Sequence, residues 1–177
     1  MTELRFRKRH RMRLKEIESL ATRLKEILGT EVFGPLDTVD MAECPEYDVV
    51  LVDGKILSIV SQGEPFLTVR GLLVYPATKR YITVDMGAVK FVANGADVMG
   101  PGVVEVDPGI VEGDFVWIRD IRNKRPLAIG KALVSAETIM RKEKGKVASS
   151  LHYVGDKLWA LDEPKEETAD MPEDEPA

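Results

Sequence analysis

Residues 84–103 read VDMGAVKFVANGADVMGPGV, and this stretch decides the fold of the second half of the chain. An apolar strand ends at Asp85, and residues 87–94 have the apolar spacing of a short helix. Gly95 can close that helix because glycine adopts the left-handed conformation without steric cost. The Pro101-Gly102 pair then marks a turn. The stretch therefore predicts a strand, a short helix and a turn into another strand.

Downstream of this stretch, short apolar segments alternate with turn residues at close intervals. Turn signals such as Pro108-Gly109 and Gly155-Asp156 separate the segments, and a second helix is predicted over residues 136–144. Many short strands with few helices are typical of a small β-barrel or sandwich. The predicted strands span residues 80–85, 103–106, 115–120, 127–134, 147–153 and 157–160.

Upstream, the pattern is that of one long helix followed by a hairpin. Apolar residues recur at helical spacing between residues 14 and 28, so a helix is predicted over residues 11–28 with Gly29 as its stop. Residues 47–52 and 55–60 flank Asp53-Gly54, a pair that suits a two-residue hairpin turn. Residues 63–78 are interrupted by proline and glycine, which predicts a loop-rich connection with a domain boundary near Pro76.

Charge is divided unevenly along the chain. Residues 161–177 carry eight acids and one base, a net charge of −7, so residues 1–160 carry +2 within the chain total of −5. The first fifteen residues hold seven bases and a single acid, Glu3. Such asymmetry favours a polyanionic partner. The acidic tail, residues 161–177, contains three prolines and cannot bury a core, so it is predicted to be disordered.

Composition and motifs argue against several functional classes. No apolar run approaches the ~20 residues of a membrane span, so we expect a cytoplasmic protein without a membrane partner. The single cysteine, Cys44, excludes an internal disulfide and a cysteine-rich metal site. The sequence contains no P-loop, dinucleotide-binding or nucleophile-elbow motif. We therefore predict a protein with no cofactor, no metal and no catalytic activity.

The order of short motifs in the second half is specific. Val84–Phe91 is followed by Asn94–Met99 and Pro101–Val103, and the half closes with His152–Trp159. This series closely resembles the PUA domain, a module named for pseudouridine synthases and archaeosine transglycosylases, over residues 79–160. The first half resembles the domain that precedes PUA in the malignant T-cell amplified sequence protein family, in the layout of its archaeal stand-alone members.

The resemblance implies an α+β fold, with a small N-terminal α/β pre-PUA domain over residues 1–76 and a PUA β pseudo-barrel over residues 79–160. PUA domains bind structured RNA, commonly a tRNA acceptor stem and its 3′ end. Eukaryotic relatives act at the small ribosomal subunit with initiation-factor-like proteins. The resemblance therefore implies a non-catalytic protein that binds tRNA or ribosomal RNA and assists translation initiation, reinitiation or recycling.

Two other functions remain open from the sequence. The chain could be the accessory RNA-binding subunit of an RNA-modification enzyme of the pseudouridine synthase or archaeosine transglycosylase type. It could also be a protein–protein adaptor in which the barrel only positions the N-terminal domain. Co-purification with small ribosomal subunits, with a modification enzyme or with an RNA-free protein distinguishes the three.

By the resemblance, the segment between the short helix and the next strand forms the RNA-binding face. Gly95 and Gly102 satisfy turn geometry on a structural interpretation, and they also leave a backbone that RNA can approach closely. Lysines near this face are candidates for phosphate contacts, although a solvated surface explains them equally well. The predicted RNA-binding residues are Lys90, Asn94, Gly95, Ala96, Asp97, Val98, Met99, Lys131 and Lys146.

The basic N-terminal arm is the second candidate surface, because its density of bases exceeds what solubility requires. The predicted ribosome or RNA contacts are Arg5, Arg7, Arg9, Arg11 and Arg13.

The aromatic residues and histidines are assigned structural roles from the sequence. Trp117 and Phe91 are expected in the core, and Trp159 is expected to cover it at the end of the last strand. His152 is predicted to be a hydrogen-bonded strand residue and His10 an exposed residue of the arm.

Overall fold

A computed structural model describes residues 5–162 of the chain. The N-terminal half contains the first of two β-sheets. This sheet has five antiparallel strands in the order β1-β2-β3-β4-β5. Two helices, α1 and α2, belong to the same half. The elements are β1 Arg7–Arg11, α1 Leu14–Leu28, β2 Val39–Glu43, β3 Asp48–Val52, β4 Lys55–Ser61, β5 Glu64–Leu67 and α2 Val69–Val74.

Helix α1 confirms the predicted long helix, with a later start. Residues 7–11 form the edge strand β1 on β2, so the helix begins only at Leu14. It buries Leu24, Ile27 and Leu28 against the sheet and ends at Gly29, whose φ of 73° is left-handed. The Gly29 amide donates to the carbonyl of Lys25. A left-handed glycine therefore stops the helix, as its sequence position predicted.

The predicted hairpin is confirmed as β3 and β4. Asp53 and Gly54 have φ angles of 51° and 87°, and two positive φ angles are what a two-residue turn of this kind requires.

The prediction of a loop-rich connection over residues 63–78 is wrong for its first part, since β5 and α2 occupy it. Pro65 is tolerated because β5 is an edge strand, where a missing N–H costs no central ladder bond. Gly71 lies inside α2, and a Cβ there would come 2.0 Å from the carbonyl oxygen of Leu57. Glycine therefore permits close helix-on-strand packing at this position. Strand β2 was also not predicted.

The second sheet forms the C-terminal half as a six-stranded, curled arrangement in the order β7-β11-β10-β9-β6-β8. Its neighbours are antiparallel except for β6 and β9, which pair in parallel. The predicted strands over residues 80–85, 103–106, 115–120, 127–134 and 147–153 are all present within two residues. The elements are β6 Tyr81–Val84, α3 Met86–Val92, β7 Val98–Met99, a 3₁₀ turn at Gly100–Gly102, β8 Val103–Val106, β9 Phe115–Asp120, β10 Pro126–Ala132, α4 Ala136–Ile139, β11 Lys146–Tyr153 and α5 Lys157–Ala160.

Two predicted elements of this half differ from the structure. Residues 157–160 form helix α5 rather than a strand, because the carboxylate of Asp156 caps them by accepting from the Trp159 amide at 2.9 Å. The helix predicted over residues 136–144 ends at Ile139. Lys142 and Gly145 have φ angles of 56° and 118°, which are incompatible with a continuing helix. Strand β7 is too short to have been predicted.

The two halves pack through a shared apolar core. Trp117, Ile129 and Leu158 of the second half belong to the cluster that contains Leu24 and Ile59 of the first. Phe66 also stacks on Phe115, with ring centroids 5.4 Å apart. The relative position of the halves is thus fixed by buried side chains and does not depend on a linker.

Asp162 corrects the predicted start of the disordered tail. Its carboxylate accepts a hydrogen bond from the Ile56 amide at 2.8 Å and pairs with the Arg70 guanidinium at 3.1 Å. The side chain is only 3% exposed. Residues 161 and 162 are therefore part of the fold, and the rest of the predicted tail, residues 163–177, lies outside the described residues.

Within residues 5–162, no helix is long and apolar enough to cross a membrane.

Candidate nucleic-acid interface

A groove runs between α3 and the segment that leads through β7 into the 3₁₀ turn. Its volume is about 570 Å³. Five of the predicted RNA-binding residues line it together with Phe91, and these are Ala96, Asp97, Val98, Met99 and Lys146. The structure therefore brings the C-terminal part of the predicted segment and the β11 lysine to one surface.

The wall formed by α3 is positioned by its two ends. At its start, the Asp85 carboxylate accepts from the Ala88 amide at 2.9 Å and caps the helix. At its end, Gly95 has a φ of 100°, and its amide donates to the carbonyl of Val92. A Cβ on Gly95 would meet the Tyr153 ring at 2.7 Å. Glycine is therefore needed at this position both for the backbone turn and for close contact with Tyr153.

The opposite wall is formed by tightly packed backbone. The Gly100 amide donates to the carbonyl of Gly145 at 2.9 Å, and a Cβ on Gly100 would lie 2.1 Å from the carbonyl oxygen of Glu143. A Cβ on Gly102 would lie 3.1 Å from that of Ala88. These glycines let α3, β7 and the loop before β11 approach one another. Glycine is therefore required by close packing at both positions.

The prediction that Phe91 belongs to the core is wrong, because its side chain is 59% exposed. Helix α3 is only seven residues long and packs inward through Val89 and Val92. Phe91 lies two residues beyond Val89, about 200° further around the helix, so it points away from the barrel. Met99 on β7 is 47% exposed as well. The groove therefore presents an aromatic ring and a thioether to solvent.

Lys146 and Asp97 form an ion pair at one side of the groove. The Lys146 ammonium lies 3.0 Å from the Asp97 carboxylate, whose other oxygen accepts from the Ser150 amide at 2.8 Å. The Ser150 amide, followed by Lys146, holds the pKa of Asp97 below its usual range. The ammonium group carries three N–H donors. The Lys146 side chain remains 61% exposed in this pair, so its ammonium group can also contact a phosphate.

Lys90 and Asn94 do not line the groove, and they lie on α3 and just after it. The Lys90 ammonium is 5.4 Å from the centroid of the Phe91 ring, which is within cation–π distance. The Asn94 side-chain amide donates to the Lys90 carbonyl at 2.7 Å, so it is committed to the helix end. Lys90 thus places a positive charge beside the exposed aromatic ring.

Lys131 does not line this groove. It projects from β10 with its ammonium 5.0 Å from the centroid of the Phe115 ring, and it lines a separate depression with Arg80 and Asp114. Sequence separation alone could not show that Lys131 and Lys146, on adjacent strands, contribute to different depressions.

The basic arm is partly neutralised by a residue far away in sequence. Arg9 and Arg11 both donate to the carboxylate of Asp40, at 2.9 Å and 2.5 Å, from strand β1 to strand β2. Hydrogen bonding from Arg11, with a smaller contribution from Arg9, holds the pKa of Asp40 below its ordinary value despite burial. Arg5 and Arg7 line a shallow depression beside Glu43 and Pro45. The backbone N–H of Arg13 donates to Glu16 at the start of α1.

The remaining aromatic residues and histidines have structural roles. Trp117 is 4% exposed and donates from Nε1 to the Lys79 carbonyl at 2.7 Å, which confirms it as core. His152 is buried with Nδ1 2.9 Å from Asp156, and His10 is exposed, as predicted. Trp159 is half-buried beneath the Arg70 guanidinium, but it sits in a helix. Residues 5–162 contain no group of three or more potential metal ligands.

The barrel topology is that of a PUA-domain protein, and the PUA domain family model matches residues 80–154. The chain belongs to the malignant T-cell-amplified sequence family. It is 33% identical over 131 residues to the Rattus norvegicus malignant T-cell-amplified sequence 1, spanning 71% of each protein.

Other relatives share most of the length of the chain. An uncharacterized protein of Methanocaldococcus jannaschii is 33% identical, over 87% of this chain and 96% of the relative. Translation machinery-associated protein 20 of Saccharomyces cerevisiae is 29% identical, over 68% of this chain and 71% of the relative. The crystal structure of a hypothetical protein of Pyrococcus horikoshii superposes with a TM-score of 0.75 at 33% identity, covering 88% of this chain and 99% of that one.

Proposed function

We propose that the groove between α3 and β7 binds an unpaired end of structured RNA, such as the 3′ end of a tRNA or a segment of ribosomal RNA, and that the protein assists translation without catalysing a reaction. One observation carries this proposal. The groove exposes Phe91 and Met99 beside the ammonium groups of Lys90 and Lys146. Apolar stacking surfaces next to cations suit a single-stranded nucleic acid.

Each part of the groove has a chemical role in this proposal. A base stacks on the exposed face of Phe91, and Met99 supplies a polarisable contact. Lys146 and Lys90 attract the phosphates on either side of that base. Gly102, which lines the groove and carries no side chain, lets the RNA backbone approach closely. None of these contacts requires a bond to be made or broken.

The translation role is supported by the relatives. One is named translation machinery-associated protein 20, and the chain shares its family with the malignant T-cell-amplified sequence proteins. We place the role at the small ribosomal subunit in initiation, reinitiation or recycling, with an initiation-factor-like protein as a further partner. In this proposal the basic arm, Arg5 to Arg13, contacts ribosomal RNA. Arg9 and Arg11 contribute less to this RNA contact, because both guanidinium groups already pair with the Asp40 carboxylate.

Single-residue variants test the groove. Phe91→Ala and Lys146→Ala should each weaken binding of an RNA stem with a 3′ overhang by about fivefold to tenfold, since each removes one stacking or charged contact. Lys131→Ala is the matched control, because Lys131 is also a strand lysine but lines another depression. Fluorescence anisotropy on folded variants measures the effect. If Lys131→Ala and Lys146→Ala weaken RNA binding equally, the RNA does not bind in the groove.

Charge reversal tests the arm. Replacing Arg5, Arg7 and Arg13 by Glu should abolish co-sedimentation with small ribosomal subunits, since several phosphate contacts become repulsive. Affinity for the isolated RNA stem should change little. If the variant still co-sediments at physiological salt, the arm does not contact the ribosome. A pull-down of the tagged wild-type chain tests the alternative function. If an RNA-modification enzyme is recovered in place of ribosomes, the accessory-subunit function is favoured.

A further inference from the structure

A second cavity lies where the two halves of the chain meet. It has a volume of about 390 Å³ and is formed by the loop between β2 and β3 on one side and by the end of β11 with α5 on the other. Its lining combines the apolar and aromatic residues Pro45, Tyr47, Leu151, Tyr153 and Leu158 with the charged residues Glu46, Asp156 and Lys157. None of them lines the groove between α3 and β7. The cavity is therefore a distinct feature that the proposed RNA groove does not explain.

Tyr153 links this cavity to the groove. Its side chain lines the cavity, and its ring contacts Gly95 so closely that a Cβ on Gly95 would lie 2.7 Å from Cε1 and 2.9 Å from Cζ. The residue after Gly95, Ala96, lines the groove. The cavity and the groove are thus separated by little more than the turn that ends α3. A polymer bound in the groove can reach the cavity by crossing this turn, where the Tyr153 ring packs against Gly95.

The walls of the cavity are held in place by partly buried hydrogen bonds to Asp156. The Asp156 carboxylate accepts from the amides of Tyr153 and Trp159 at 3.0 and 2.9 Å, and His152 Nδ1 lies 2.9 Å from it. Burial of Tyr47, and secondarily the nearby charge of Asp156, raises the pKa of the Tyr47 phenol well above its ordinary value. Its hydroxyl therefore keeps its proton at physiological pH and can donate a hydrogen bond.

We propose that this cavity, the tyrosine pocket, receives a second unpaired base of the RNA strand whose first base stacks in the groove. This inference rests on the proposed function of the groove. Two tyrosine rings and the apolar side chains of Leu151 and Leu158 give the pocket the stacking surface that a base requires. The pocket has the volume of a small-ligand site. Because Tyr47 comes from the first half and Tyr153 from the second, RNA recognition involves both halves.

Stems with 3′ overhangs of increasing length test this proposal. For the wild-type chain, affinity should rise as the overhang lengthens enough to fill the groove, and rise again when one or two more nucleotides reach the tyrosine pocket. Tyr47→Ala should weaken binding about tenfold, and only for the longer overhangs. A loss of this size is typical of one aromatic stacking contact. Tyr47→Phe, which keeps the ring, should retain most of the gain. Phe91→Ala should weaken binding of the short overhangs as well.

The outcomes separate the two proposals. If Phe91→Ala binds every RNA like the wild type, the function proposed for the groove fails. If instead the wild type gains nothing from the longer overhang, or Tyr47→Ala lowers affinity equally for all lengths, the tyrosine pocket is not an RNA subsite.

A second measurement on the unmodified chain keeps the proposal testable if Tyr47→Ala does not fold. A 4-thiouridine at the distal overhang position should crosslink to residues 45–47 or 151–158. If crosslinks form only at other surfaces, the proposal is overturned. The pocket then binds a protein segment or has no ligand.

Discussion

At the scale of single residues, the candidate RNA face depends on positions whose role is decided by three-dimensional neighbours. Gly95 was predictable, since a glycine after a short apolar helix indicates a left-handed turn. Phe91 was not, because a seven-residue helix contains too few turns to show which side faces the core. The Asp97–Lys146 pair joins residues 49 positions apart, and only the pairing of β7 with β11 brings them together.

The Asp97 carboxylate predicts a dependence of stability on pH. Its pKa is lowered in the folded chain, so its contribution is fully present above the unfolded value of about 4 and is lost as pH falls through the folded pKa. Asp97→Asn should therefore lower the free energy of unfolding at pH 7 by about 1 kcal/mol, a typical net value for a hydrogen bond.

Urea unfolding of the wild type and Asp97→Asn at pH 7 and pH 3 checks this. The difference between the two proteins should shrink at pH 3. A constant difference at both pH values would show that the charge of Asp97 does not stabilise the fold.

At the scale of elements, helix capping, edge position and close packing decided the secondary structure where the apolar pattern was ambiguous. Residues 157–160 were predicted as a strand, but the Asp156 side chain caps them as a helix. Pro65 and Gly71 look like loop residues, yet one lies in an edge strand and the other permits a helix to pack on β4. Elements with an unambiguous local signal, such as α1, the Asp53-Gly54 hairpin and β9, were predicted within a few residues of their observed bounds.

Two truncations test where the folded part of the chain ends. Removing residues 163–177 should leave the melting temperature nearly unchanged. Removing residues 161–177 should also delete the Asp162 carboxylate, which accepts from the Ile56 amide and pairs with Arg70 in a largely buried position. Loss of that acceptor should cost about 1–3 kcal/mol, because a buried donor then lacks its partner.

Thermal unfolding followed by circular dichroism compares the two truncations directly. Equal melting temperatures would mean that Asp162 does not hold the end of the chain to the first half.

At the scale of the whole molecule, the sequence pattern predicted a small barrel or sandwich in the second half. The resemblance to PUA proteins implied an α+β chain with a barrel there, and the fold agrees. The pattern did not predict that the halves share a core, since contacts such as Phe66 on Phe115 join residues far apart in the chain. The charge asymmetry was read as a basic arm with one local acid, but Asp40 on the neighbouring strand neutralises part of it. We still propose domains over residues 1–76 and 79–160. The predicted tail, residues 161–177, is shortened at its start by Asp162, which is held by the first half.

The central claim is that the groove between α3 and β7 binds the unpaired end of a structured RNA. Amide chemical shifts of the isotope-labelled chain, recorded while an RNA stem with a 3′ overhang is added, test it most directly. We expect the largest changes at residues 87–102 and around Lys146, and much smaller changes with the same stem lacking the overhang. Changes confined to the five-stranded sheet, or identical changes with the blunt stem, would contradict the account.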